Sequence, residues 1–345
     1  MAGGQDRGSG SEIYNRQFAI CNWRMGAVGT KSVVAVEARE LTKTFGAVAA
    51  VDCLTLSVAA GEIFGLVGPD GAGKTTTLRL LTGVMAATSG TARVLDVDVT
   101  QEPERVRHRI GYVPQSSSLY SDLSVRENLQ FHADLFGVSP GERDHRAAEL
   151  LAFSRLEPFT RRLVRNLSGG MRQKLALCAA LIHRPAVLFL DEPTIGVDPV
   201  SRREFWLLIH QLLEQGLTLV VSTPYLDEAE RCHRVGLMDR GRLVACDDPS
   251  RLRGMLPGTL LELRGPAPEA VSPILSRLPE VGEVQVFGDT LHLRVKDAGR
   301  DTPPIQQALT AHGFPEAHLR PILPSLEDVF VTLLRQRPGG GTPPQ

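Results

Sequence analysis

The run Leu167-Ser168-Gly169-Gly170-Met171-Arg172-Gln173 is built to hold an anion. Two glycines leave backbone N–H groups open where an apolar helix begins. Ser168 adds a hydroxyl donor, and the helix start adds the positive end of its dipole. Upstream, Gly68-Pro69-Asp70-Gly71-Ala72-Gly73-Lys74-Thr75, with Thr76 next in line, follows the pattern G-x-x-x-x-G-K-[ST]. Its glycines let backbone N–H groups curl around a phosphate. Lys74 is placed to reach the β- and γ-oxygens, and the Thr75 hydroxyl to coordinate Mg²⁺. Downstream, Leu188-Phe189-Leu190-Asp191-Glu192-Pro193 ends an apolar strand in two carboxylates. Asp191 suits a metal, directly or through water, and Glu192 suits a general base on an attacking water.

Two further residues join this set. Gln115, at the end of another strand, is placed to contact the metal or the water; standing alone it would read as a surface glutamine. Phe45 suits stacking on a purine ring, and packing in the core is the competing reading. One chain therefore carries two separate phosphate-recognition devices. A single nucleotide rarely needs both from one subunit, so the pair points to nucleotide shared between two subunits.

The elements around these residues supply the context they need. Residues 33–38 and 50–58 are Val-rich and alternate as strands do. Residues 63–67 form a short buried strand running directly into the glycine loop, and a helix over 75–81 follows. From about 116 to 167 the period is helical, with Val125, Leu129, Ala133 and Phe136 on one face. Strands return at 186–190 and 217–221, and 235–244 reads as a hairpin. A helix is expected over 225–232, with Thr223 as its cap and Pro224 opening it; His233 beside Cys232 reads as a surface helix position. Pro257-Gly258 marks a boundary. Beyond it the order β-α-β-β-α-β, with helices over 268–278 and 304–312, indicates a small ferredoxin-like module, followed by a helix over 325–334. The chain is thus expected to be an α/β P-loop NTPase domain over 33–256, with a helical insert at about 116–167. An α+β accessory domain over 257–336 follows, between a disordered extension at 1–32 and a disordered tail at 337–345. Met25 is an alternative start.

At 345 residues there is room for two cores. Lys and Arg number 38 against 39 Asp and Glu, a balance without the basic excess of a nucleic-acid binder. The five cysteines form no C-x-x-C pair, which fits a reduced compartment, and Cys178 reads as core. The nine histidines show no metal-ligand spacing. No apolar run approaches the ~18–20 residues that span a bilayer, so any membrane part is expected from another chain.

The phosphate loop, Gln115, Leu167–Gln173, Leu190-Asp191-Glu192-Pro193 and Gly196-Val197-Asp198 occur in the order and spacing of ABC-type ATPases, and the chain resembles the ATP-binding subunit of an ABC-2-type exporter. Asp70, the run 198–204, Tyr225-Leu226-Asp227-Glu228-Ala229-Glu230 and Ser325-Leu326-Glu327-Asp328-Val329-Phe330 resemble the first half of tandem bacterial multidrug exporter subunits. The resemblance implies ATP and Mg²⁺ as ligands and a head-to-tail pair of such domains, as homodimer or heterodimer. It further implies a membrane permease as partner and a place on the cytoplasmic face of the membrane. Leu167, Ser168, Gly169, Gly170 and Gln173 would then serve the ATP held by the opposite subunit. Asp198 would reach across the dimer seam, and the segment around Gln115 would lie near the permease. Two residues depart from the family pattern. Pro224 stands where a histidine normally touches the γ-phosphate, and Asp70 replaces the usual Asn, bringing a carboxylate near the phosphates. The first departure leaves a second reading open, that of a regulatory, weakly hydrolysing subunit. A soluble ABC ATPase acting on ribosomes or DNA is the third; such members usually carry tandem domains with a charged linker, long coiled coils or zinc modules, none of which is present here.

Overall fold

The computed structural model describes residues 33–116 and 118–335; the expected extension and tail, with Cys21 and Met25, lie outside them. The chain forms two compact units that divide after Cys246.

In the first unit, β1 (Val34–Phe45) and β2 (Val48–Ala59) form a hairpin, β3 (Ile63–Val67) leads through the glycine loop into α1 (Lys74–Leu81), and β4 (Ser89–Val94) and β5 (Val97–Asp98) follow. Next come α2 (Pro103–Arg107), β6 (Ile110–Val113), α3 (Val125–Leu135), α4 (Pro140–Ser154) and α5 (Gly169–Leu181). The unit ends with β7 (Val187–Asp191), α6 (Pro199–Glu214), β8 (Thr218–Thr223), α7 (Leu226–Ala229), β9 (Arg234–Asp239) and β10 (Arg242–Asp247). The strands build an antiparallel sheet in the order β2-β1-β4-β5 and a six-stranded sheet in the order β10-β9-β3-β8-β7-β6. Strands β9, β3, β8, β7 and β6 run parallel. Every residue of β3, β7 and β8 is buried, as strands covered on both faces require, and this is why they read as unbroken apolar runs. One buried cluster joins Val36, Leu41 and Val58 of the antiparallel sheet to Leu78 and Leu81 of α1 and to Phe64, Phe189 and Val220 of the parallel one. The glycine loop, Asp191 and the 222–225 segment therefore stand together at the C-terminal edge of the parallel strands, the edge at which such sheets bind ligands.

Several expectations need adjustment. The first hairpin runs to a turn at Gly46, with bulges in its register; its outer half carries charged, exposed residues and gives no alternation to read. Strands β4 and β5 were not expected, because Thr88-Ser89-Gly90-Thr91 has turn composition while its backbone pairs with β1. The expected helix over 225–232 shrinks to one turn, α7. Tyr225 rather than Thr223 occupies its N-cap position, and Pro224 lies outside it. His233 stands in the turn that follows, where its Nδ1 accepts from Ile63 N at 3.1 Å. The insert is helical: Ser124 and Glu127 form a reciprocal cap on α3, whose Val125, Leu129 and Ala133 are fully buried. Cys178 is buried, which pushes its thiol up to about 12.

The second unit begins at Asp247, ten residues before the Pro257-Gly258 turn, because α8 (Pro249–Arg253) packs on the last helix of this unit rather than closing the first. It continues with β11 (Thr259–Arg264), α9 (Pro268–Leu275), β12 (Val281–Phe287), β13 (Thr290–Val295), α10 (Ala298–Ala311), β14 (His318–Ile322) and α11 (Leu326–Arg335). The sheet order β12-β13-β11-β14, antiparallel throughout, is the ferredoxin-like order. Helix α10 starts six residues before the expected Pro304 and contains Pro303 and Pro304. Asp297 caps it, and Asp301 accepts from the backbone N–H groups of Lys296 and Asp297, fixing the turn by which the chain enters the helix. Helix α11 is pinned to β13 by Asp328, 1% exposed, whose carboxylate accepts from His292 Nδ1 at 2.6 Å and from Ser325 N and Oγ at 2.8 and 2.6 Å.

Burial alone would raise the Asp328 pKa, but these hydrogen bonds outweigh it and hold the carboxyl below its ordinary value. A depressed carboxyl stabilises the fold above its unfolded pKa of about 3.9, and that contribution is lost as the pH falls through the folded value. Asp328→Asn is expected to cost about 1–3 kcal/mol at neutral pH, and its unfolding free energy should then vary less than that of the native chain below about pH 4. Denaturant titrations across that range check both.

Candidate functional site

The loop after β3 turns on Gly73, whose φ of +100° suits glycine and whose absent Cβ would lie 2.3 Å from Ala50 O. Gly73 is also the N-cap position of α1, so the first free N–H groups of that helix open into the loop. Gly68, Asp70, Gly71 and Ala72 form the loop before it; Asp70 and Gly71 are exposed and Ala72 is buried. Thr76 follows Thr75 in the first turn of α1 and is half-buried.

Lys74, 3% exposed, directs its ammonium back into this loop. It donates to Gly68 O at 2.8 Å and Pro69 O at 3.0 Å, and stands 3.0 Å from Glu192 Oε1. Glu192, 5% exposed, takes a further bond on Oε2 from Gln115 Nε2 at 2.7 Å. Gln115 thus lies against the carboxylate suited to be a base. It sits two residues beyond the end of β6, not within a strand.

Asp191 ends β7 fully buried. Its Oδ1 accepts from Thr75 Oγ1 at 3.0 Å and from Ser222 Oγ at 2.7 Å, and its Oδ2 accepts from Tyr112 OH at 3.2 Å. Burial, followed by the Asp191 charge, pushes the Tyr112 phenol up to about 12, so it stays protonated and donates. Mg²⁺ is ordinarily held by one or two protein oxygens together with substrate phosphates. Thr75 Oγ1 and Asp191 Oδ1 are hard oxygen donors 3.0 Å apart, and the fit is good.

The segment carrying Pro224 is held by a buried carboxylate. Glu228 accepts from Thr223 Oγ1 at 2.7 Å and from Thr194 Oγ1 at 2.6 Å, with Arg202 Nε at 3.5 Å. The Arg202 guanidinium also lies over the Tyr225 ring, 4.2 Å from its centre. Pro224 itself brings no side-chain donor to this end of β8.

The Leu167–Gln173 run, the signature of the ABC-type ATPases that the chain resembles, stands among other neighbours. Ser168 caps α5, its hydroxyl oxygen accepting from Met171 N at 3.3 Å, which leaves the hydroxyl hydrogen free to donate. Leu167 is buried. Gly169 and Gln173 line a cleft with Pro114, Ile195, Gly196 and Val197. A Cβ on Gly170 would lie 2.5 Å from the Ser201 side chain, so glycine is what lets α5 approach α6. Asp198 is exposed at the N-terminus of α6, where its carboxylate accepts from Ser201 N at 2.9 Å, a bond that lowers its pKa. Phe45 ends β1 with half its surface exposed, not in the core, and Lys43 Nζ stands 5.3 Å from its ring centre.

Sequence reasoning missed Tyr112, Thr194, Ser222 and Glu228. Ser222 carried the one available signal, a hydroxyl at the end of an otherwise apolar strand. Glu228 lies in the run Asp227-Glu228-Ala229-Glu230, where residue types do not show which carboxylate is buried.

A family model described as ABC transporter matches residues 51–195. The chain is 42% identical over 299 residues to a probable multidrug ABC transporter ATP-binding protein of Escherichia coli, an alignment covering 86% of this chain and 50% of the relative. The chain thus spans about half the length of that protein. It is 39% identical to Nod factor export ATP-binding protein I of Paraburkholderia xenovorans, over 87% of this chain and 96% of the relative. It is 40% identical to the daunorubicin/doxorubicin resistance ATP-binding protein of Streptomyces peucetius, over 69% and 72%. Among solved structures, an ATP-binding subunit of an ABC transporter superposes with a TM-score of 0.58 at 28% identity, covering 64% of this chain and 92% of that one. A dimeric ATP-binding cassette bound to ADP and Pi gives a TM-score of 0.57 at 27% identity, covering 62% and 98%. The chain belongs to the ABC transporter family of ATP-binding proteins and has the α/β P-loop fold of its cassettes. No helix among the described residues is long and apolar enough to cross a membrane.

Gly73→Ala forces a Cβ onto Ala50 O and a side chain into left-handed backbone. It is expected to cost on the order of 1–3 kcal/mol and to weaken ATP binding, measured by denaturant unfolding and by titration calorimetry.

Proposed function

We propose that this chain binds ATP with Mg²⁺ on its glycine loop and hydrolyses it, as the energy-supplying subunit of an exporter. Its membrane part would be a separate ABC-2-type permease, engaged at the cytoplasmic face. The observation that carries this reading is the convergence of Lys74, Glu192 and Gln115 beside the Thr75–Asp191 pair at one sheet edge.

The chemistry follows from these contacts. Lys74 and the loop N–H groups receive the β- and γ-phosphates, and the incoming phosphate replaces Glu192 as the anionic partner of the ammonium. Glu192, released from Lys74 but still oriented by Gln115, accepts a proton from the attacking water. Thr75 and Asp191 would hold Mg²⁺, which neutralises charge on the phosphate oxygens. Phe45, exposed at the end of β1, offers its ring to the base. Ser168, Gly169 and Gly170 would present donors to ATP held by a second cassette, and Asp198 would face that cassette; one of the superposable structures is a dimer.

Pro224 favours a second reading, in which this chain's own ATP site turns over slowly and its main role is to complete the site of a more active partner. The exporter role is supported by likeness to relatives named as a multidrug ABC transporter, a Nod factor export and a daunorubicin/doxorubicin resistance ATP-binding protein.

Glu192→Gln is expected to retain ATP binding, with Lys74 relieved of its ion pair, and to lose turnover by about two to four orders of magnitude; unchanged phosphate release refutes the assignment of the base. Pro224→His is expected to raise turnover of the assembled transporter by roughly ten- to a thousand-fold, the worth of one transition-state donor. An unchanged or lower rate counts against a catalytic deficit at residue 224.

A further inference from the structure

Ser222 is fully buried in the last turn-ward part of β8, paired in parallel register with Asp191 of β7. Its hydroxyl does two things at once. It donates to Asp191 Oδ1 at 2.7 Å, and it accepts from the backbone N–H of Glu192 at 3.0 Å. That same N–H also reaches Ser222 O at 3.1 Å. Glu192 needs such a hold, because its φ is +50°, a left-handed conformation that a residue with a Cβ keeps only when its surroundings impose it.

The neighbours of Ser222 are committed elsewhere. The Thr223 hydroxyl donates to Glu228 and accepts from Tyr225 N at 3.1 Å. Pro224 carries no donor, and the Tyr225 ring lies under Arg202. On the other side, Thr75 shares Asp191 Oδ1 with Ser222. If the Thr75 oxygen turns to a metal ion, Ser222 is the donor that stays on Oδ1, while Tyr112 stays on Oδ2.

We propose that Ser222 is a positioning residue for the Mg²⁺-dependent step, its single hydroxyl fixing the Asp191 carboxylate and the Glu192 backbone together. This rests on the reading of the glycine loop and Asp191–Glu192 as a Mg²⁺·ATP site. Removing the hydroxyl leaves the backbone bond between Glu192 N and Ser222 O in place, so Ser222→Ala keeps the strand ladder and loosens only the two side-chain contacts.

The test is calorimetric titration of ATP into the full chain, in MgCl₂ and in EDTA, for the native protein, Ser222→Ala and Ser222→Thr. Ser222→Ala should bind ATP in EDTA as the native chain does, while its gain in affinity from Mg²⁺ falls roughly 10- to 100-fold, the usual effect of losing a partner of a metal ligand. Ser222→Thr, which keeps the hydroxyl, should retain the gain. If Ser222→Ala does not fold, Ser222→Cys, of similar volume with a weaker donor, carries the comparison. A native-like Mg²⁺ gain in the hydroxyl-less variant overturns the proposal, as does an equal loss of affinity in MgCl₂ and EDTA. A native chain that binds no ATP overturns the functional reading along with it.

Discussion

A buried carboxylate must find hydrogen-bond donors to replace the water it has lost, and Asp191 is such a group at the end of a strand buried along its whole length. Its three hydroxyl donors come from α1, β6 and β8. To satisfy one side chain, the helix after the glycine loop must begin where both strands beside β7 end. The shared core beneath, from Leu78 of α1 to Phe189 of β7 and Val220 of β8, makes that alignment affordable. The ion pair of Lys74 with Glu192 lies one residue further on and inherits its geometry from this anchoring.

How much of this could be read from residue types alone depends on where each residue's partner lies. The glycine loop and the Asp191-Glu192 strand end are legible because their own spacing and flanking apolar runs carry the information. The antiparallel order of the second unit is legible for a similar reason, since short alternating strands and two helices leave few arrangements. Ser222, Tyr112 and Glu228 are not legible. Each gains its role from a neighbour across the sheet or in another loop, and parallel pairing puts those neighbours far away along the chain. The outer half of the first hairpin and the strand β4 were missed because exposed, bulged strands lose the alternation that marks a half-buried one. The start of α10 is not legible from its prolines, because Asp297 caps a helix that tolerates Pro303 and Pro304 within it.

The two phosphate-recognition devices differ in what surrounds them. The glycine loop is backed by buried charge: an ammonium, two carboxylates and the hydroxyls that hold them. The signature is backed by close packing of small residues against the start of α6, with an exposed hydroxyl at its tip. Pro224 stands at the end of β8, next to Thr223, whose hydroxyl donates to the buried Glu228.

The contact of Gly170 with Ser201 gives that second device a mechanical property. With no side chain on Gly170, the start of α5 packs directly on the Ser201 side chain at the start of α6, and the Lys174–Glu204 pair at 2.6 Å ties the same two helices one turn further along. Gly169 and Gly170 at the head of α5 and Asp198 at the head of α6 are therefore joined through one close contact and one ion pair.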